Sequence, residues 1–421
     1  SRGYGCLRDR IAATMTDETS MAPSQDGSSR TAVTAVRCPD YEIQAVRAAL
    51  EALLDPLGGM AAFVRPGERI ALKPNLLMPT GPERAVVTHP AVVAAVALAV
   101  KEAGAHPVVV ESPGVGVVHV KPVIERSFRR AGYLEMAERY GFEISLETDY
   151  EQVSAPEAVL AKRIEVMSPI LRADGVINLA KFKTHMFMTF TGATKNLFGV
   201  IPGLNKSAYH ARLADRQMFA DMLLDVAYFV DPRLSIVDGI LAMEGNGPGT
   251  GGKPRPLGVL LAGADPVSVD VACCRIAGID PASVPLLVAA HKRGMWSGHA
   301  ADIDTLGVPV AELQVHDFKK PESYEGIGVG AAGGRFDEPL RRILRRFSRM
   351  PRPKVGRCTV CGACERACPA KAITLDSNAK VAKVDDSLCI RCYCCHEVCP
   401  HAAIDLEHVG MGRVMHKLRL V

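Results

Sequence analysis

The residues best suited to chemistry lie near the end of the chain. It has 421 residues and 13 cysteines, and eight of the cysteines fall in two runs. Cys358, Cys361, Cys364 and Cys368 form one C-x2-C-x2-C-x3-C-P pattern; Cys389, Cys392, Cys395 and Cys399 form the other. Thiolates at this spacing suit a 4Fe–4S cubane, which needs one thiolate on each iron. Three closely spaced cysteines on a tight loop wrap three corners, and the fourth comes from elsewhere in the fold. Pro369 and Pro400 turn the chain away just after that fourth thiol. Zinc modules show two separated Cys/His pairs instead, without the triple and the trailing Cys-Pro. The runs also repeat internally: Cys368 to Ile373 matches Cys399 to Ile404. Cys394 breaks the pattern and reads as a small packed thiol beside a cluster.

The paired runs resemble the two-cluster module of bacterial ferredoxins, in which the fourth cysteine of each run ligates the other run's cluster. That resemblance implies two 4Fe–4S clusters. One is held by Cys358, Cys361, Cys364 and Cys399, the other by Cys389, Cys392, Cys395 and Cys368. It also implies a low-potential electron donor or acceptor protein as partner.

Composition narrows the rest. Hydrophobic content of 48% and charged content of 23% are those of an ordinary globular protein, with length for about two or three domains. A chain this long needs no staple to fold, so the clusters serve chemistry. The net charge of +4 says little about partners. Cys6, Cys38, Cys273, Cys274 and Cys394 show no disulfide framework, and with the cluster motif they point to a cytoplasmic, reducing location. The longest apolar run, Ala91 to Val100, is too short to span a membrane. From Arg341 to Arg357 there are eight basic residues, no acidic residue and one aromatic, Phe347. Leu340, Ile343, Leu344 and Phe347 mark an amphipathic helix there. The stretch is too short and too poor in aromatics for a nucleic-acid interface.

Upstream, helical and strand periods alternate. Ile43, Val46, Leu50, Leu53 and Leu54 predict a helix over 41–54. Further helices are expected over 91–103, 121–140, 215–230 and up to Ala277. Strands are expected at 69–72, 107–110, 175–179, 234–237 and 257–261. This alternation predicts an α/β fold, a mostly parallel sheet with helices on both faces. A small α+β ferredoxin-like domain follows it. The expected segments are a disordered 1–30, with Met15 or Met21 as the native start, an α/β domain over 31–335, a basic helix and Pro linker over 336–357, the cluster domain over 358–406 and a tail over 407–421.

Open parallel sheets bind ligands outside the carboxyl ends of their strands. Lys73 and Asn75 follow one predicted strand, Glu111 a second, and Lys181, Lys183 and His185 a third. Asp238 and a glycine-rich loop with Glu244 and Asn246 follow a fourth. With Lys195 and Asn196 these groups are expected to form one cationic rim for a carboxylate or phosphate. The glycines at 245, 247, 249, 251 and 252 would let backbone N–H groups approach the anion. Lys73, Asn75, Glu111, Lys181, Lys195, Asn196, Glu244 and Asn246 are the candidate binding residues. His185, as a proton donor, and Lys183 are the candidate catalytic pair. The loop matches neither nucleotide-binding glycine motif, so neither ATP nor NAD is implied. A further, unidentified cofactor in the α/β domain, such as a flavin, stays open.

Residues from about 33 to 277 resemble the domain-of-unknown-function family 362. Lys73–Leu76, Asn178–His185, the Lys195–Gly199 to Gly203 segment, and Asp238–Gly239 through Pro248 with Asp265–Val267 carry the likeness. It implies an α/β domain in a redox context, often joined to a two-cluster ferredoxin module. It supplies no reaction. The residues together imply an iron–sulfur oxidoreductase acting on an anionic organic substrate. A dedicated electron-transfer subunit and a cluster maturation or delivery protein are the rivals. The substrate, the direction of electron flow and the oligomeric state are not read from the sequence.

Overall fold

The computed structural model describes residues 31–114, 117–203, 205–213, 215–324 and 349–407. The expected N-terminal segment, the basic amphipathic helix and the C-terminal tail lie outside these residues, apart from the last residues of the expected linker and Glu407.

One large sheet organises residues 33–307. Its strands are β1 (Val33–Arg37), β2 (Arg69–Pro74), β3 (His106–Val109), β4 (Glu143–Ile144), β7 (Gly175–His185), β8 (Thr189–Thr191), β9 (Leu234–Gly245), β10 (Gly252–Gly263) and β11 (Thr305–Gly307). The order is β11-β1-β10-β9-β7-β2-β3-β4, with β8 paired to β7. Five neighbouring pairs are parallel; β1 with β10, β10 with β9 and β7 with β8 are antiparallel. A separate hairpin joins β5 (Tyr150–Ser154) and β6 (Arg163–Met167).

Period-2 alternation assigns the two faces. Ile70, Leu72, Ile177, Leu179, Leu234 and Ile236 pack into one core with α1 (Ile43–Leu54), α2 (Pro90–Glu102), α3 (Lys121–Arg130) and α4 (Tyr133–Tyr140). Ala71, Val176, Ala180 and Val237 pack into the other. That side carries α5 (Ala193–Asn196), α6 (Asn205–Arg212), α7 (Arg216–Val230), α8 (Pro266–Ile276) and α9 (Pro285–Lys292). Asp215 caps α7 and Asp265 caps α8, each accepting two backbone N–H groups.

Three elements differ from the sequence expectation. β7 does not stop at Leu179 but runs to His185, with all its residues buried. β9 likewise continues past Val237 to Gly245, pairing with β10, so the glycine-rich loop shrinks to 246–251. The helix expected over 121–140 breaks at Gly132, whose φ is +81° and where a Cβ would meet Pro90 at 3.2 Å.

The last domain is a small α+β unit. β12 (Met350–Pro353) pairs antiparallel with β15 (Ile404–Glu407), and β13 (Ile373–Asp376) with β14 (Val381–Val384). Two short helices complete it, α10 (Ala363–Ala367) and α11 (Cys394–Val398). Pro351 and Pro353, expected in a linker, lie in β12. A two-stranded edge tolerates them because the missing N–H faces no further strand.

Candidate functional site: a cationic cavity against the cysteine-rich domain

β7 carries the site. Its odd-numbered residues point one way. Ile177 and Leu179 fill the core, and then the same face turns cationic with Lys181, Lys183 and His185. Lys73 comes from the end of β2, Lys206 from α6 and Lys195 from α5. Asp270 fixes α5 from inside α8: its Oδ1 accepts Ala193 N–H at 2.6 Å and its Oδ2 accepts Thr194 N–H at 3.0 Å. Asp270 therefore caps a neighbouring helix rather than its own. The five lysines and His185, with Asn75, Glu111, Asn196, His210 and Glu397, line one cavity of about 70 Å³. About 10–15 Å³ admits one water, so this space holds a handful of heavy atoms.

The lysines are not equivalent. Lys73 pairs with Glu111 at 2.7 Å, and Lys181 with Asp238 at 2.7 Å, all fully buried. Lys181 also donates to Tyr41 Oη at 3.0 Å. Lys206 donates to Ser112 O at 2.7 Å, Ser112 Oγ at 3.1 Å and Pro113 O at 2.8 Å. Among the described residues Lys183 has only neutral acceptors, Asn75 Oδ1 and Val86 O. Lys195 lies over the Phe198 ring, 6.0 Å from its centroid. Five lysines thus face three carboxylates: Glu111, Asp238 and Glu397. Burial, then Lys195 and Lys181, hold Lys183 well below the ordinary lysine range. Burial brings Lys206 down to about 7. It raises Glu397 to about 7, against the pull of Lys195 and Lys183.

His185 is fixed by its backbone. Nδ1 accepts N–H from Phe187 at 3.0 Å and from Met188 at 3.2 Å. The hydrogen-bond network therefore places the ring proton on Nε2. Nε2 stands 3.4 Å from Glu397 Oε1, and both atoms are buried without a hydrogen-bond partner among the described residues. Protonating Nδ1 would set a third N–H against two donors, and burial already keeps the ring's pKa well below the ordinary value. His185 thus presents its Nε2 side to the cavity and Glu397.

Glu397 belongs to α11, between Cys395 and Cys399, so the cysteine-rich domain closes the cavity. The glycine-rich loop makes that docking possible by letting α11 approach its backbone closely. A Cβ on Gly249 would run into the backbone of Glu397, with its carbonyl carbon at 3.0 Å; one on Gly251 would meet His396 Nε2 at 2.5 Å. Thr250 Oγ1 donates to Cys399 O at 2.7 Å. Glu244 and Asn246 lie outside the cavity: Glu244 accepts Lys319 N–H at 3.0 Å and Asn246 accepts Glu322 N–H at 3.0 Å. Asn196 reaches the lining, but its amide N–H group donates to Asn178 Oδ1 at 2.8 Å and ties α5 to β7. Lys206, His210 and Glu397 were missed by sequence reasoning. Glu397 alone had a signal, since it replaces the Arg366 of the first repeat.

The eight cysteines surround two cavities of about 20 Å³ each. Cys358, Cys361, Cys364 and Cys399 line one; Cys368, Cys389, Cys392, Cys394 and Cys395 line the other. Among the described residues all 12 cysteines are free. No three His, Cys, Asp or Glu side chains there converge tightly enough for a single ion. The thiols enclose a space, as a polynuclear cluster requires. Ala372 N–H donates to Cys368 Sγ and Ala403 N–H to Cys399 Sγ, each at 3.2 Å. Among the described residues no helix is long and apolar enough to cross a membrane.

Comparison with known proteins agrees with this division. Residues 70–275 match the family described as a domain of unknown function (DUF362), and residues 357–403 match a 4Fe–4S dicluster domain. A thylakoid-associated protein of Synechocystis sp. is 38% identical over 314 residues, which is 74% of this chain and 92% of that protein. Among solved structures, the lactate racemase apoprotein of Thermoanaerobacterium thermosaccharolyticum is similar with a TM-score of 0.37 and 12% identity, covering 61% of this chain and 59% of that one. The chain belongs to the domain-of-unknown-function family 362, joined to a C-terminal 4Fe–4S ferredoxin domain.

Proposed function

We propose that this protein is an iron–sulfur oxidoreductase that reduces a small anionic molecule, a carboxylate or oxyanion, in the cavity beneath α11. The observation that carries this is Glu397. It lines the cavity and stands two residues from Cys395 and two from Cys399, so the thiol sites adjoin the anion site. We assign Cys358, Cys361, Cys364 and Cys399 to one 4Fe–4S cluster and Cys368, Cys389, Cys392 and Cys395 to a second. The enclosed thiol geometry and the N–H···S bonds fit such groups. When bound, the clusters supply low-potential electrons one at a time.

The chain's own residues then have separate tasks. Lys183 and Lys195, which have no carboxylate in salt-bridge contact among the described residues, hold the anion. His185 Nε2–H donates a hydrogen bond to it and strengthens as negative charge grows on the ligand. Lys206, brought to about 7 by burial, is the lysine best poised to give up a proton at neutral pH. Lys73 and Lys181 hold the frame through their ion pairs. The cavity's volume favours a small acid over a flavin. Cys361 is the exposed cysteine of the eight and marks the side on which a carrier protein delivers electrons. We also propose a cytoplasmic location, supported by the free thiols; association with a membrane face, as the Synechocystis relative's name records, is compatible with it.

The test is native mass spectrometry of protein purified without oxygen, with and without Lys183→Glu combined with Lys195→Glu. A small anion retained by the wild type and absent from the variant supports the assignment. Equal ligand mass in both overturns it.

A further inference from the structure

Two polar atoms face each other across the cavity wall without pairing. His185 Nε2 comes from β7 and Glu397 Oε1 from α11. They stand 3.4 Å apart, and neither makes a hydrogen bond among the described residues. His185 is fully buried, Glu397 is 3% exposed, and both line the cavity. A buried donor or acceptor left unmade costs about 1–3 kcal/mol, so the pair marks where a ligand group belongs. Glu397 is also an odd choice for an anion site. A carboxylate in the wall repels every anion, and it helps only a ligand that brings it a donor.

The two atoms need opposite partners. Nδ1 of His185 accepts from Phe187 and Met188, which puts the ring proton on Nε2 and makes that atom a donor. A carboxylate oxygen accepts. One ligand atom that serves both must accept from His185 and donate to Glu397. Carboxylate, nitrate and ketone oxygens have no proton to give; a hydroxyl does both. One oxygen can stand about 2.8 Å from each atom across the 3.4 Å gap. The anionic head lies next to it. Lys183 spends two of its three ammonium N–H groups on Asn75 Oδ1 and Val86 O among the described residues, which leaves one for a ligand. The charges of Lys183 and Lys195 both act on Glu397 and on His185, so head and hydroxyl are neighbours. About 70 Å³ leaves room for a short chain only.

We propose that the cavity is built for a short 2-hydroxy acid, with its carboxylate on Lys183 and Lys195 and its hydroxyl bridging His185 Nε2–H and Glu397. This rests on the anion-site reading above and goes beyond it by naming the ligand's second group and giving Glu397 the task of accepting from it. In the proposed reduction this acid is the product. A 2-oxo acid gains two electrons from the reduced clusters and two protons, one ending on oxygen and one on carbon. His185 donates to that oxygen throughout, and Glu397 gains its hydrogen bond only once the oxygen carries a proton.

The experiment is isothermal titration calorimetry on the full chain, purified without oxygen and loaded with its clusters, using glycolate and acetate, which differ by one hydroxyl. The wild type should bind glycolate about tenfold more tightly than acetate, the size of one charge-assisted hydrogen bond. Glu397→Ala removes the acceptor and a negative charge together. Acetate should then bind no more weakly than before, while the preference for glycolate falls below about threefold. A general disturbance of the site would move both acids alike, so the ratio reads the hydroxyl. A preference that survives in Glu397→Ala overturns the inference. Equal affinity for the two acids in the wild type also overturns it, and this comparison needs no variant. If Lys183→Glu with Lys195→Glu abolishes that equal binding, the anion site stands and Glu397 meets the ligand as an acid. A wild type that binds neither acid overturns the anion-site reading itself, and the inference with it.

Discussion

Replacing Lys183 and Lys181 by Met, one at a time, should change stability by different amounts, although the two lysines lie two residues apart on one strand face. Lys181 is half of a fully buried pair with Asp238. Without it, Asp238 keeps Tyr41 Oη at 2.8 Å and His89 N–H at 2.9 Å but loses its cation. Stranding a buried carboxylate costs about 3–5 kcal/mol. Among the described residues Lys183 pairs with no carboxylate that its loss would strand. Its ammonium is buried against an amide and a carbonyl, and exchanging a buried charge for an apolar group of like volume gains about 1–4 kcal/mol. Asn75 Oδ1 and Val86 O lose a donor, at about 1–3 kcal/mol. Lys183→Met should therefore lie between a loss of about 2 and a gain of about 3 kcal/mol, and at least about 1 kcal/mol above Lys181→Met. Urea unfolding of anaerobically loaded protein, followed by circular dichroism, reads this difference. If Lys183→Met falls as far as Lys181→Met, Lys183 is a structural residue and not an ammonium held in place for a ligand.

The pH profile follows the same logic. A lysine with a depressed folded pKa leaves the unfolded chain holding more protons, so stability rises with pH between the folded and unfolded values. Lys206, at about 7, should add a climb from about pH 7 to about pH 10, and Lys206→Met should flatten it; an unchanged slope counts against its burial as an ammonium. Gly249→Val should leave both domains folded but separate them, because the added carbons meet the Glu397 backbone. Small-angle scattering should show a larger radius, and one equal to the wild type counts against the docking role of the loop. Asp270→Ala removes both N–H acceptors from α5 and should cost about 1–2 kcal/mol while weakening anion binding through Lys195. An effect on stability alone would separate Asp270 from the site.

The layers were legible in the sequence because period-2 and helical spacing report burial directly: 43–54, 69–74 and 216–230 all form where spacing places an element. The strand ends were not. Lys181, Lys183 and His185 read as a polar stretch after a strand, since lysine is rarely buried. Only the tertiary cover supplied by Asp238, Asn75 and α11 shows that they continue β7. The glycine-rich loop is ambiguous for a related reason. Glycine signals close approach of something, and sequence does not say whether an anion or a helix is approaching. The cysteine sites were the most legible part, because thiolate spacing is itself the chemistry. Glu397 was hidden inside that same motif, where it looked like filler between ligands.

The most direct test of the account is a single-turnover reoxidation. Protein is reduced without oxygen, freed of reductant and mixed with a panel of small carboxylates and oxyanions, while cluster absorbance is followed. The account predicts that one chemical class reoxidises the wild type and that Lys183→Glu with Lys195→Glu abolishes this while leaving cluster content and absorbance intact. Reoxidation at the same rate in the variant, or by no anion of the panel in either protein, would contradict the claim that electrons leave through this cavity.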